Sequence, residues 1–390
     1  MRAIVAQSQA VDSAAATAEL LEQADERLAG EQPRAAFLFA STDYDHGVLL
    51  AGIQQRWPGL PLIGGSTDGE VSSVSGFVHD SALLTLLCGD DLKVHAGVGH
   101  DLSKDLDAAI AAALPEAAVP GFSAAHGRQL LCFTVFAPSA NSTEVVRRLQ
   151  QRLGADCPIF GGLTGDHREY ARMVEFCCAE AQRDSLPVLL IEGDLKVSWG
   201  IGTGWFPVGE AMRVTRAEQH VVHEIAGRPA FEVFRDYWGS MPEDSLGEYP
   251  LAVYPEGSDG RYFLRAVLGA DAATGSIRLA GEVPHGSTIR LTEVLPEGIL
   301  SGSESAALAA AGSYPGTAPQ LALVFTCAAR KWVLGTEAER ESALLQQAFA
   351  RGGVQPAMAG FYAFGEIAPT TAESPSDFHN ETCVAVLIGQ

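Results

Sequence analysis

Acids, hydroxyls and glycines recur together at three places in this chain: PLIGGSTDGE (61–70), PIFGGLTGDH (158–167) and PAMAGFYAFGE (356–366). Asp68, Glu70, Asp166 and Glu366 put carboxylates at corresponding turns, with the hydroxyls of Ser66, Thr67 and Thr164 beside them. Glycine allows positive φ and close backbone approach, so such turns can expose N–H groups that hold an anion or line a pocket. Carboxylates gathered near one axis must be paired, hydrogen-bonded or neutralised. Arg168, Arg265 and Arg330 are the candidate partners. Arg330 directly follows an apolar run, and loops at strand ends are where sites usually sit, so Arg265 and Arg330 are read as ligand contacts. His379 and Asn380 head the last apolar run in DFHNET, and His79 and His167 occupy comparable places in the other two repeats. Each histidine lies beside an acid, which suits a ligand, a switch or a brace for a strand end. Tyr362 flanks the third turn, where it either packs or stacks on a flat ligand.

Catalytic signatures are absent. There is no G-x-S-x-G, P-loop, H-E-x-x-H, or G-x-G-x-x-G opening a helix. Paired carboxylates leave one enzymatic alternative open. The seven cysteines are scattered, with Cys177 and Cys178 adjacent and no C-x-x-C, so neither structural zinc nor covalently attached haem is expected. No metal is assigned.

The turns are positioned by a repeated escort. Upstream of each lies a short apolar run, AAFLFAS (35–41), LLCFTVF (130–136) or LALVFTC (321–327). A helical stripe follows: Leu49, Leu50, Ile53 and Trp57 in the first, Val145, Val146, Leu149 and Leu153 in the second, Leu344, Leu345 and Ala348 in the third. Downstream comes a second apolar run: DSALLTLL, DSLPVLLI and NETCVAVLI. The unit reads strand, helix, strand with its glycine turn, strand. Strands separated by a helix can pair in parallel, and closely spaced ones antiparallel. An α/β (or α+β) fold of pseudosymmetric repeats is predicted, with mixed sheets covered by helices and the turns 64–70, 161–167 and 359–366 close together in space. LKVHAGVGHDL (92–102) and LKVSWGIGTGW (195–205) read as one further strand per unit, GRPAFEVFRDYW (227–238) as a helix, and 262–294 as a β meander. The expected domains are an N-terminal segment and helix (1–30), two repeat units (31–226), and a third unit with the meander (227–390).

The chain has 390 residues, 47% hydrophobic, enough for a large core, and a formal net charge of −22. That charge repels phosphate backbones and anionic lipid, so nucleic acid and membrane are poor partners. No apolar run reaches the length of a bilayer span, and the N-terminus carries no signal peptide, so a cytoplasmic protein is expected.

The chain resembles the FIST sensory proteins. The resemblance rests on GGSTDGE followed by GFVHDSALLTLL, on FLRAVLGADAATGSIRLAGEVPHGSTIRL, on ALVFTCAARKWVLG, and on GFYAFGEIAP with FHNETCVAVLI. It implies a non-enzymatic sensor in bacterial signal transduction, with a small ligand, such as an amino acid or a derivative, held at the turns between the two halves. It also implies a separate signalling enzyme as partner, such as a histidine kinase or a cyclic-dinucleotide enzyme. The alternative that it implies is a haem-based nitric oxide sensor, with His379 as the haem ligand; otherwise no cofactor is expected. Many members read GCSTAGE where this chain has GGSTDGE, and the extra carboxylate of Asp68 favours an amine-bearing ligand.

Overall fold

The computed structural model describes residues 1–115, 122, 128–239 and 243–390. Three units share one plan: strand, helix, strand, helix, strand, hairpin, strand. The first unit runs through Arg2–Ser8, helix Ser13–Leu28, Pro33–Ala40, helix His46–Arg56, Leu62–Ser66, the hairpin of Glu70–Ser72 with Gly76–Val78, and Ala82–Cys88. The second repeats this from Lys93–His100 to Ser185–Gly193, the third from Lys196–Thr203 to Thr382–Gly389. Carboxylate and amide side chains start several of these helices. Asp12, Asp45 and Asn141 accept from the backbone N–H groups of Ala15, Val48 and Glu144, satisfying donors that the first turn leaves unpaired.

Each unit builds a six-stranded mixed sheet. The two strands flanking the second helix pair in parallel, as Leu38↔Gly64, Thr134↔Gly161 and Val324↔Gly360. The last strand of each unit pairs antiparallel with its neighbours. A glycine is required at the three paired positions. A Cβ on Gly64, Gly161 or Gly360 would lie 1.7, 1.8 or 1.9 Å from the carbonyl oxygen of Leu38, Thr134 or Val324.

The hairpins are exchanged cyclically. Glu175–Cys177 of the second unit extends the first sheet, Glu366–Pro369 of the third extends the second, and Glu70–Ser72 of the first extends the third. The strands alternate faces with period two. Phe37, Phe39, Phe133, Phe160, Phe325 and Phe361 join a core shared by all three sheets, while Leu38, Cys132 and Val324 face the covering helices of their own units. The mixed α/β fold is thus the expected one, and the three turns converge.

Two assignments change. The strands at 92–102 and 195–205 open the following unit, and residues 1–30 are the same opening strand and helix of the first unit. The third unit is interrupted after Lys196–Thr203 by a β insertion over 205–294, with its own core around Val222, Phe234, Val253, Ile277 and Ile289. Gly227, where the sequence reading divides the chain, lies within the span of that insertion. A long insertion between an opening strand and its helix hides the repeat from sequence inspection. The helix expected over 227–238 forms as Ala230–Trp238.

The seven cysteines are free, and all but Cys178 are buried. Among the described residues, no helix is long and apolar enough to cross a membrane.

Candidate functional site

The three turns meet through their backbones. Asp68 N–H donates to Tyr362 O (3.1 Å) and Tyr362 N–H to Gly69 O (2.9 Å). Gly165 N–H donates to Ser66 O (2.9 Å), Leu163 N–H to Gly365 O (2.8 Å) and Phe364 N–H to Leu163 O (3.2 Å). This mutual closure seals the residues expected to touch a ligand. Ser66, Thr67, Asp68, Glu70, Thr164, Asp166, Tyr362 and Glu366 are all wholly buried.

Their acids are held locally, not by the expected arginines. Glu70 accepts from the Ser81 backbone N–H and hydroxyl at 3.1 and 2.5 Å. Glu366 does the same with Thr382, at 3.1 and 2.6 Å. The third member of this set is Glu175, which accepts from Ser185 N–H and hydroxyl, both at 3.1 Å. Asp166 is therefore not the counterpart of Glu70. After Asp166 the second unit inserts a loop before its hairpin, with His167, Arg168 and Tyr170 at positive φ, and the Asp166 carboxylate caps the N–H groups of Tyr170, Ala171 and Arg172. Burial pushes the carboxyls of Glu70 and Glu175 up to about 8 and about 7, and that of Glu366 well above its usual range; the hydroxyl and N–H donors offset this only in part. These acids brace each last strand against its turn.

Arg330 and Arg265 also depart from the sequence reading. The Arg330 guanidinium is fully buried, in an ion pair with Glu341 at 2.9 Å, and also donates to Ile299 O. Tyr362 donates its phenol to the same Glu341. Arg265 donates to the carbonyls of Glu282, Leu264 and Phe378, each at 3.1 Å. A guanidinium at a strand end serves a ligand or the protein's own acids and carbonyls equally well, and here its donors are turned inward. The partner of Asp68 is Lys331, at 2.9 Å, and Asp68 Oδ2 also accepts from Trp332 Nε1 at 3.0 Å. Burial raises the Asp68 carboxyl, but His167 and Lys331 beside it leave it below its usual range. Buried His379 faces Ala368 O through Nε2 at 2.9 Å, and burial lowers its pKa.

Beside the closed turns lies a cavity of about 580 Å³. Its floor is formed by the carboxyl ends of two strands from different sheets, Ile159–Leu163 and Leu321–Cys327, each a member of its own sheet's parallel pair; strand carboxyl ends are the usual place for a ligand in an α/β sheet. The second unit's loop supplies Arg168 and Tyr170, the helix after Cys327 supplies Trp332, and the third turn supplies Phe364. The β insertion closes it with Ala266, Leu268 and Arg278, and Asn380 and Glu381 head the last strand. Arg168 stacks its guanidinium 3.6 Å from the Trp332 ring centre and pairs with Glu248 at 2.6 Å. Phe364 lies 5.9 Å from Trp332 and 5.1 Å from Tyr170, centre to centre.

Glu381 is 1% exposed, at φ 61°, and among the described residues neither carboxylate oxygen makes a hydrogen bond of good geometry, although the Cys327 thiol lies beside it. Burial pushes its carboxyl up to about 8, with the Cys327 thiol and Arg330 offsetting this only in part. An aromatic wall, a cationic mouth and an unsatisfied buried acid suit a small molecule with a hydrogen-bond donor or cationic end and a flat or apolar body. Of the sequence-named ligand residues, Asn380 lines this cavity, and His379 and Asn380 line a neighbouring one of about 470 Å³. Glu381, Trp332 and Cys327 were missed. A usable signal existed, since an acid precedes the Ser or Thr that opens each last strand, as Asp80, Asp184 and Glu381.

Comparison with known proteins divides the chain into two parts that meet inside the β insertion. The FIST N domain model matches residues 34–228 and the FIST C domain model residues 230–369. An uncharacterized protein of Mycobacterium tuberculosis is 26% identical over 395 aligned residues, covering 96% of both chains. An uncharacterized protein of Mycobacterium bovis is 28% identical over 178 residues, covering 43% of this chain and 45% of its own. Among solved structures, a cyanuric acid hydrolase from A. caulinodans aligns over 100% of this chain and 99% of its own at 12% identity and a TM-score of 0.28, a similarity too slight to carry fold or function across.

Proposed function

We propose that this chain, which belongs to the FIST family through its N and C domains, senses a small amine-bearing molecule held in the 580 Å³ cavity against Glu381. FIST domains are in general small-ligand sensory domains of signal transduction. The observation that carries the finer reading is Glu381, a buried acid at the cavity wall whose oxygens lack a hydrogen bond of good geometry. An ammonium group beside it supplies the missing donors and favours its ionised form. Trp332, Phe364 and Tyr170 offer stacking surface for the body of the ligand, and Arg278 at the same wall suits a ligand carboxylate. An amino acid or a close derivative fits this chemistry.

Because the cavity draws Arg168 and Tyr170 from the N domain and Trp332 and Phe364 from the C domain, with Glu381 beyond the C domain's matched range, occupancy bears on both. A ligand that prefers one arrangement of the two shifts the population toward it, which a partner such as a histidine kinase or a cyclic-dinucleotide enzyme can read. The haem alternative asks His379 to give up its contact with Ala368 O. The carboxylate-enzyme alternative asks Glu70 and Glu366 to leave their hydroxyl and N–H donors. Neither has an observation in its favour that matches Glu381.

The test is thermal melting of the full chain against a panel of the proteinogenic amino acids and their decarboxylated amines. A binder at a hundred times its Kd adds about 2.7 kcal/mol, a shift of a few degrees for a chain of this size. The shift is expected to vanish in Glu381→Gln and Trp332→Ala. A binder whose shift survives both substitutions unchanged would place the ligand elsewhere.

A further inference from the structure

We propose that His79, Asp80 and His167 form a binding site for one divalent transition ion of the zinc type, distinct from the ligand cavity. None of the three lines that cavity. Their ligating atoms all lie within 4.8 Å of one another. His79 Nδ1 and His167 Nε2 approach the same oxygen, Asp80 Oδ1, at 3.2 and 3.3 Å. Zinc bonds of about 2.0–2.1 Å at a tetrahedral angle set ligand atoms roughly 3.3 Å apart, so each histidine–aspartate pair already stands at ligand spacing, and one of the two stacked rings must turn to aim its nitrogen at the same ion.

His167 carries the strongest indication. It holds φ 58°, uncommon for a residue with a Cβ. Both of its ring nitrogens are shielded from water, yet neither makes a hydrogen bond of good geometry. Buried polar atoms are rarely left so, and an ion on Nε2 would satisfy one of them. The other nitrogen faces buried Asp68 at 3.0 Å, and Lys331 and Trp332 hold that carboxylate in place. A carboxylate behind a ligating histidine fixes its tautomer and orientation.

The bland alternative is an ion pair with no metal. It explains the arrangement less well, because it leaves both shielded nitrogens of His167 without a hydrogen bond of good geometry. Two nitrogens and one oxygen suit zinc and its neighbours, whereas calcium and magnesium prefer oxygen alone. Three protein ligands leave a coordination position open, unlike a closed structural site. The absence of a spaced motif in the sequence has a simple cause: His79 and Asp80 belong to the first unit and His167 to the second. Because Asp68 also accepts from Trp332, the ion would sit behind one wall of the ligand cavity.

Calorimetric titration of the chelator-treated full chain with zinc chloride at neutral pH tests the assignment. One ion per chain is expected, with affinity at least tenfold weaker in His79→Ala, 10–100-fold weaker in Asp68→Asn, and abolished when His79 and His167 are both alanine. His79 is exposed, so its variant should keep the wild-type circular dichroism and melting point. Cobalt in place of zinc is expected to show a visible ligand-field band that His79→Ala alters, and His285→Ala should change nothing. Zinc binding that is not saturable at one ion per chain, an affinity unaltered in His79→Ala, or calcium bound in preference to zinc would overturn the proposal.

Discussion

Single residues show how far chemistry can be read without coordinates. Arg330 and Tyr362 were both legible as important, and both meet the same buried acid, Glu341. What the sequence did not carry was direction. Glu341 lies on the amphipathic helix Ala338–Arg351, where nothing in its spacing separates it from its exposed neighbours. Arg330→Ala is therefore expected to strand a buried carboxylate and cost about 3–5 kcal/mol of stability, read from urea unfolding midpoints. A loss below about 1 kcal/mol would mean that the guanidinium serves a ligand after all. Glu381 illustrates the opposite error: its acid–threonine step repeats Asp80–Ser81 and Asp184–Ser185, yet burial and missing hydrogen bonds, which give it meaning, arise only on folding.

At the scale of elements, the repeated unit was legible because strands and helices write different hydrophobic periods. The glycines of the turns were legible too, and Gly64, Gly161 and Gly360 do sit where the paired strand's carbonyl leaves no room for a Cβ. The acid brace was half legible. Glu70 and Glu366 stand out in the sequence, whereas the loop after Asp166 shifts Glu175 out of register with them. These braces, and buried Glu381 with them, carry a sign for stability. Glu70, Glu175 and Glu381, with folded pKa values of about 8, 7 and 8, stay protonated when an unfolded chain would release its protons above roughly pH 4.5. Their contribution is fully present below the unfolded pKa and is lost as pH rises through the folded pKa. Unfolding free energy should therefore fall between pH 5 and pH 8, by up to ~1.4 kcal/mol per pH unit for each group. Denaturant titrations across that range check it, and Glu175→Gln should make the slope shallower. A flat or rising profile would contradict neutral, buried braces.

At the scale of the whole molecule, two features escaped the sequence. Cyclic exchange of hairpins among the three sheets is long-range pairing with no local signature, and it is what brings the turns together and closes them. The β insertion then roofs the strand ends at Leu163 and Cys327, where aromatic residues and Glu381 gather, so the proposed site lies beside the turns and not in them. The measurement that bears most directly on this account is a crystal structure of the chain with the compound that gives the largest melting shift. The account predicts the ligand in the cavity, its cationic group within about 2.9 Å of Glu381 and its body against Trp332 and Phe364. A ligand seated among Ser66, Thr67 and Thr164 at the closed turns, or bound through His379, would contradict it.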